Sequence, residues 1–255
     1  MNVANKPLVL VVDDQPATQE LFAITLDKLG YDFILAGNGE EALEKAQKYK
    51  PAIIFMDVQM PFMDGYEAVM HLREKGFKTP VIAVTGRTHD REYDRCLKAG
   101  MSDMLIKPFK LADIKKMLKE WLNISGTAAS TERRGAFPET KNSVFNAIEI
   151  LDTFMNNEKT VISLLSRFIE RTREQLEKIP VLENTGNWEK AKKEAHLIKG
   201  AAMTLAGSEL GNAAARLEQA AGKAARDEVK TAYRATCEAF VRFKKEAEEF
   251  ISTRS

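Results

Sequence analysis

The sequence predicts two domains of different class: a doubly wound α/β domain over residues 1–122 and an all-α four-helix bundle over 143–255. Three observations lead there. Short apolar runs alternate with helical spacing as far as residue 122, all periodicity is lost between 123 and 142, and beyond that only helical spacing returns. A chain of 255 residues has room for two cores of ordinary size.

In the first half the strand-like runs are LVLVV (8–12), FILA (33–36), AIIFM (52–56), VIAVT (81–85) and MLI (104–106). Between them residues recur at helical spacing, as with Leu21, Ile24, Thr25 and Lys28, then Ala42, Leu43 and Ala46. Five apolar strands with helical crossovers make a parallel sheet covered on both faces, with right-handed connections. Residues 123–142, NISGTAASTERRGAFPETKN, read as a flexible linker with an end-to-end distance on the order of 25 Å.

The second half carries four apolar stripes. The first runs Val161, Leu164, Leu165, Phe168, Thr172, Leu176, Ile179, and the second Ala191, Ala195, Ile198, Ala202, Leu205. Leu210, Ala214, Leu217, Ala221 and Ala224 form the third, and Val229, Tyr233, Thr236, Phe240, Phe243, Ala247 and Phe250 the fourth. Short connections near Gly186-Asn187, Gly207-Ser208 and Arg226-Asp227 make consecutive helices antiparallel, with a lead-in helix around Phe145–Phe154.

Composition narrows the class. With 44% apolar residues, 29% charged residues and a net charge of +1, nothing calls for a nucleic-acid partner. The longest apolar run near the start, Leu8–Val12, is too short for a membrane span or a signal peptide, so the expectation is a cytoplasmic protein without membrane insertion. Cys96 and Cys237 have neither CxxC spacing nor nearby histidines, which suggests ordinary reduced thiols.

Chemistry collects at strand ends. Asp13 and Asp14 follow the first strand and Asp57 follows the third; in the strand order 2-1-3-4-5 these neighbours bring three carboxylates together at the carboxyl edge of the sheet. Like charges a few ångströms apart repel by roughly 1 to 4 kcal/mol per pair, and a bound cation relieves this. All-oxygen ligands point to Mg²⁺. Thr85 closes the fourth strand with a hydroxyl, and Lys107 closes the fifth with a compact positive charge. The set suits a phosphoryl group, with Asp57, alone at its strand end, as nucleophile.

Through Asp13-Asp14, "MDVQMPFMDG" (56–65), Thr85 with Gly86, and "KPF" (107–109), residues 7–122 resemble the receiver domain of two-component response regulators, a flavodoxin-like fold. The resemblance implies that Asp57 is the phosphoacceptor, that Asp14, Asp57 and the Gln59 backbone carbonyl ligate Mg²⁺, and that Asp13 holds water of the metal. It further implies that Lys107 contacts the phosphoryl group and that Thr85 reorients toward it. One position departs: Met104 stands where many receivers carry an aromatic switch residue, so phosphorylation is expected to be read out differently here, or hardly at all.

In "AHLIKGAA" (195–202), His196, Lys199 and Gly200 share one helix face, although glycine inside a helix costs about 1 kcal/mol relative to alanine. The stretch resembles the signature of histidine-containing phosphotransfer (Hpt) domains, and Leu217-Glu218 also fits that family, over roughly residues 145–252. The resemblance implies that His196 is an exposed nucleophile, that Lys199 steadies phosphoryl oxygens and that Gly200 leaves room for an incoming receiver. Attack requires a neutral imidazole, the predominant form of a free histidine near pH 7.

The expected function is therefore a phosphorelay intermediate, phosphorylated on Asp57 and His196, with Mg²⁺ as cofactor and no small-molecule substrate beyond phosphodonors. No Gly-rich ATP-binding segment is present and no helix-turn-helix follows the first domain, so expected partners are a sensor histidine kinase, other receiver domains, or both. The rival reading is an adaptor whose bundle binds a partner while His196 stays idle. An aspartyl-phosphate phosphatase fits less well, since it calls for a DxD motif where the chain has "DDQP".

Overall fold

The structure, a computed structural model, describes residues 6–86, 90–122 and 143–254; the expected linker at 123–142 lies outside the described residues. The chain divides into two compact units, the first ending at Pro138 and the second beginning at Glu139.

The first unit is a five-stranded parallel sheet, β1 (Leu8–Val12), β2 (Asp32–Ala36), β3 (Ile53–Asp57), β4 (Val81–Thr85) and β5 (Asp103–Ile106), in the order β2-β1-β3-β4-β5. Helices α1 (Pro16–Leu29), α2 (Gly39–Tyr49), α3 (Gly65–Glu74), α4 (Asp90–Lys98) and α5 (Leu111–Leu122) make the crossovers. Local signals set their ends. Pro16 opens α1 and Gly30 closes it in the left-handed region at φ 77°, while Asn38 and Asp64 cap α2 and α3 by accepting the Glu41 and Glu67 N–H groups. The strand residues Val9–Val12, Ile53–Met56 and Val81–Val84 are buried, as expected of a sheet covered on both faces.

One strand sits a residue further on than its apolar run suggests. β3 ends at Asp57, not at Met56, because Asp57 pairs in register with Val84 of β4. The candidate nucleophile is thus part of the ladder. Lys107, in turn, lies one residue beyond the end of β5.

The second unit is helical: α6 (Ala147–Thr153), α7 (Glu158–Asn184), α8 (Trp188–Thr204), α9 (Ser208–Gly222) and α10 (Arg226–Ser252). The side chains of Asn146, Asn157 and Asn187 cap α6, α7 and α8. Phe243 anchors the core edge-on to Phe145 and Phe168, with ring centroids 5.6 and 5.3 Å away. It also sits 2.6 Å from where a Cβ on Gly207 would be, which is why the α8–α9 turn carries glycine. The expected third stripe runs too long. α9 stops at Gly222, and Ala224 leaves the helix with φ 53°, so the last connection is 223–225 and Arg226 already belongs to α10. No described helix is long and apolar enough to cross a membrane.

Candidate functional site

Each unit brings one group of reactive side chains together. In the first, the pairing of β1 with β3 sets Asp13, just past Val12, beside Asp57, and one oxygen from each of Asp13, Asp14 and Asp57 lies within 4.8 Å of the others. Lys107 reaches in from the end of β5, its Nζ donating at 2.7 Å to both Asp13 Oδ2 and Asp57 Oδ2. Backbone amides hold the remaining oxygens: the Gln15 N–H donates to Asp13 Oδ1 at 2.8 Å and the Gln59 N–H to Asp57 Oδ1 at 2.9 Å. Thr85 is buried at the end of β4, where its carbonyl accepts the Lys107 N–H at 2.7 Å, so the hydroxyl-bearing strand and the lysine are fixed to each other.

Among the described residues, the pocket is short of positive charge. Burial raises the Asp13 carboxyl well above its ordinary value; Lys107 pulls it down, while Asp57 and Asp14 push it up. Burial alone would depress the Lys107 ammonium, but Asp13 and Asp57 outweigh it and hold it above its ordinary value. Three carboxylates against one ammonium, all oxygen donors at short range, fit a hard divalent cation.

Two supporting residues went unremarked in the sequence. Gln19 on α1 donates its side-chain N–H to the Asp13 carbonyl at 2.6 Å and to the Ala36 carbonyl at 3.1 Å, tying the acidic loop to the end of β2. At Gly65 a Cβ would lie 2.2 Å from the Asp57 carbonyl, so only glycine lets α3 start directly against the backbone of Asp57. The "MDG" spacing contains that glycine, but only packing shows what it touches. Met104 is partly buried against the cluster that includes Tyr66 and Ala83.

In the second unit His196 is not an exposed side chain, as the resemblance implied, but 82% covered by its surroundings, with 18% of its side chain accessible. The cause is Glu218 on α9, whose Oε1 lies 2.9 Å from His196 Nδ1 and whose Oε2 accepts from Lys199 Nζ at 2.7 Å. Lys199 is therefore held on Glu218. The Gly200 carbonyl accepts from the Thr204 hydroxyl at 3.1 Å. Burial works to raise the Glu218 carboxyl, but the His196 hydrogen bond and the Lys199 charge outweigh it and bring it down to about 2. An ionised carboxylate can only accept, so neutral His196 carries its proton on Nδ1 and its lone pair on Nε2.

Glu218 had a legible signal. α8 and α9 form a hairpin about Gly207, and His196 and Glu218 lie equally far from it in sequence. The same symmetry pairs Met203 with Gly211, where a Cβ would meet the methionine methyl at 2.8 Å, and Lys192 with Gly222.

Comparison with known proteins follows this division. Residues 9–119 match the family model described as the response regulator receiver domain, and residues 163–251 match that of the Hpt domain. The chain is 37% identical over 123 residues to the alkaline phosphatase synthesis transcriptional regulatory protein PhoP of Bacillus subtilis, a match covering 48% of this chain and 50% of that protein. It is 41% identical over 111 residues to the sensor histidine kinase RcsC of Escherichia coli, covering 44% of this chain and 12% of that kinase. The chain thus spans half or less of these relatives. Among solved structures it resembles the receiver domain of sensor histidine kinase PA1611 from Pseudomonas aeruginosa, which holds a magnesium ion in its active site cleft. That likeness has 35% identity and a TM-score of 0.44, covering 46% of this chain and 98% of that one.

Proposed function

Because the chain carries a response regulator receiver domain followed by an Hpt domain, the pairing of a two-component phosphorelay, we propose that it accepts a phosphoryl group on Asp57 and carries or transfers one on His196. One observation supports this most: each unit holds its nucleophile within hydrogen-bond reach of a lysine and carboxylate set, Lys107 with Asp13 and Asp57 in one, Lys199 with Glu218 in the other.

Receiver domains generally bind Mg²⁺ at an acidic site. Here Asp14, Asp57 and the Gln59 carbonyl would hold the ion, with Asp13 beside them, and it would supply charge neutralisation to the transferring phosphoryl oxygens. The chain's own residues do the rest. The Asp57 carboxylate forms an O–P bond as the donor's N–P bond breaks, the electron pair returning to the donor imidazole. Lys107, already on Asp57 Oδ2, faces the incoming phosphoryl oxygens, and the Gln59 N–H keeps the carboxylate from turning. At His196 the Nε2 lone pair forms an N–P bond while an acyl-phosphate O–P bond breaks, its electrons staying on the leaving carboxylate. The Nδ1 proton remains in place, and Glu218 offsets the positive charge that the ring acquires.

Partners follow from this chemistry: histidine kinases and other phosphorelay proteins supply or remove the group. The test is phosphoryl transfer to wild type, Asp57→Ala and His196→Gln with Mg²⁺, followed by acid and base treatment. Asp57→Ala should retain only acid-labile, alkali-stable phosphohistidine, and His196→Gln only the phosphoaspartate that both treatments remove. Label that stays on Asp57 whatever donor or receiver is supplied would make the bundle an adaptor instead.

A further inference from the structure

Asp13 is held at each of its four polar atoms. Its N–H donates to the Ala36 carbonyl at 3.1 Å, its carbonyl accepts from Gln19 Nε2 at 2.6 Å, its Oδ1 accepts the Gln15 N–H and its Oδ2 accepts from Lys107 Nζ. Gln19 is the fourth residue of α1, and its side chain turns back to reach the loop that precedes the helix. The same Nε2 also donates to the Ala36 carbonyl at 3.1 Å, so both hydrogens of one amide nitrogen go to two neighbouring carbonyls. With two acceptors in front of it, the amide must present its nitrogen there and not its oxygen.

The strand end that Gln19 grips is itself braced. β2 is an edge strand, and α2 holds its last residues: Lys45 Nζ donates to the Leu35 carbonyl and to Glu41 Oε2, each at 2.7 Å, while Glu41 Oε2 accepts the Gly37 N–H at 3.3 Å. Gln19 therefore ties the Asp13 backbone to a fixed edge.

The consequence is order before a cation arrives. One oxygen from each of Asp13, Asp14 and Asp57 lies within 4.8 Å of the others, and Lys107 offsets only part of that repulsion. A loop free to move would relax by carrying Asp13 and Asp14 away from Asp57. A cation would then have to draw them back, and its affinity would be lower by the work of doing so. A pinned loop also fixes the spacing of the oxygens, which favours a small cation that demands near-ideal geometry over a larger one that accepts a flexible ligand set. A glutamine achieves this as a neutral donor. A lysine or arginine making the same hydrogen bonds would add positive charge beside a site for a cation.

We propose that Gln19 is a positioning residue for the acidic pocket: by pinning the Asp13 backbone to the end of β2 it sets the affinity for Mg²⁺ and the preference for Mg²⁺ over Ca²⁺. It acts through Asp13 and has no part in the transfer of the phosphoryl group. The proposal rests on the reading of the pocket as a Mg²⁺ site.

Calorimetric titration of the full-length chain with MgCl₂ or CaCl₂ alone tests it without any phosphorylation. Gln19→Leu keeps the size and helix preference of the side chain but has no donor, and should weaken Mg²⁺ binding by roughly 10-fold and Ca²⁺ binding by less than about threefold. Gln19→Asn keeps the amide but is one methylene too short to reach both carbonyls. It should fall between Gln19→Leu and wild type, and it carries the test if the leucine variant does not fold. Half-maximal labelling of Asp57 by acetyl phosphate should need correspondingly more Mg²⁺, with the rate at saturating Mg²⁺ within about twofold of wild type. Urea unfolding of each variant reports on the fold separately. If Gln19→Leu loses stability yet binds both cations as wild type does, Gln19 only staples α1 to β2 and the proposal fails. Equal losses for Mg²⁺ and Ca²⁺ overturn it too, because a general distortion weakens both alike. If wild type takes up no Mg²⁺, the reading of the pocket fails first, and the role of Gln19 with it.

Discussion

The two proposed nucleophiles, Asp57 and His196, sit in opposite charge arrangements. Around Asp57 one lysine serves two carboxylates, with a third from Asp14 close by; around His196 one carboxylate serves both a lysine and the imidazole. Among the described residues the first set has three acids for one ammonium and so an excess of negative charge. In the second, Glu218 is balanced by Lys199 and also bonds the imidazole at Nδ1. A phosphoryl group brings more negative charge to either site, so only the first requires an added cation to receive it. On the proposed function, a metal requirement would belong to one half of the molecule, although both halves would handle the same group.

The largest effect should come from removing that cation. Chelation with EDTA should lower labelling of Asp57 by acetyl phosphate by about 100-fold or more, while labelling of His196 by phosphoramidate in Asp57→Ala stays unchanged. A parallel loss at both sites would erase the contrast.

Much of this contrast was legible in the chain, and unevenly. The strand ends gave Asp13, Asp14, Asp57, Thr85 and Lys107, because a continuous apolar run that stops announces where the sheet's edge lies. Whether Asp57 closes β3 or follows it was not legible, since that depends on its pairing with Val84. Gly65 could be seen as a glycine but not as the residue that touches the Asp57 carbonyl. In the bundle, spacing placed His196, Lys199 and Gly200 on one face, yet the decisive partner is on another helix. Locating Glu218 requires both the Gly207 turn and the rotation of α9 about its axis, and an apolar stripe fixes the second only to within a residue or so. The overlong stripe through Ala224 failed for a related reason: an alanine suits a helix face but does not forbid the turn that ends it.

The next effect probes the carboxylate that makes the bundle self-sufficient. Glu218→Gln keeps a hydrogen-bond acceptor for Nδ1 and removes the charge that faces the phosphorylated ring and Lys199. Labelling of His196 by phosphoramidate should fall by roughly 10- to 100-fold, equivalent to about 1.4–2.7 kcal/mol of barrier, with Asp57 labelling untouched. If the glutamine variant reacts as fast as wild type, Glu218 holds the helices together and nothing more.

The smallest effect is on stability, and it has a direction in pH. In the folded bundle His196 and Lys199 hold the Glu218 carboxyl down to about 2, below its value in the unfolded chain. A depressed acid stabilises the fold at pH above its unfolded value and loses that contribution as pH falls toward the folded one. The contribution is at most about 3 kcal/mol, less after screening by the solvent that reaches this partly covered trio. Denaturant unfolding of wild type and Glu218→Gln should therefore show its full difference above about pH 5, and the gap should shrink steadily below that. A gap that stays constant across that range would mean that Glu218 contributes through shape and hydrogen bonding alone. The bundle would then lack the charge balance that separates it from the acidic pocket.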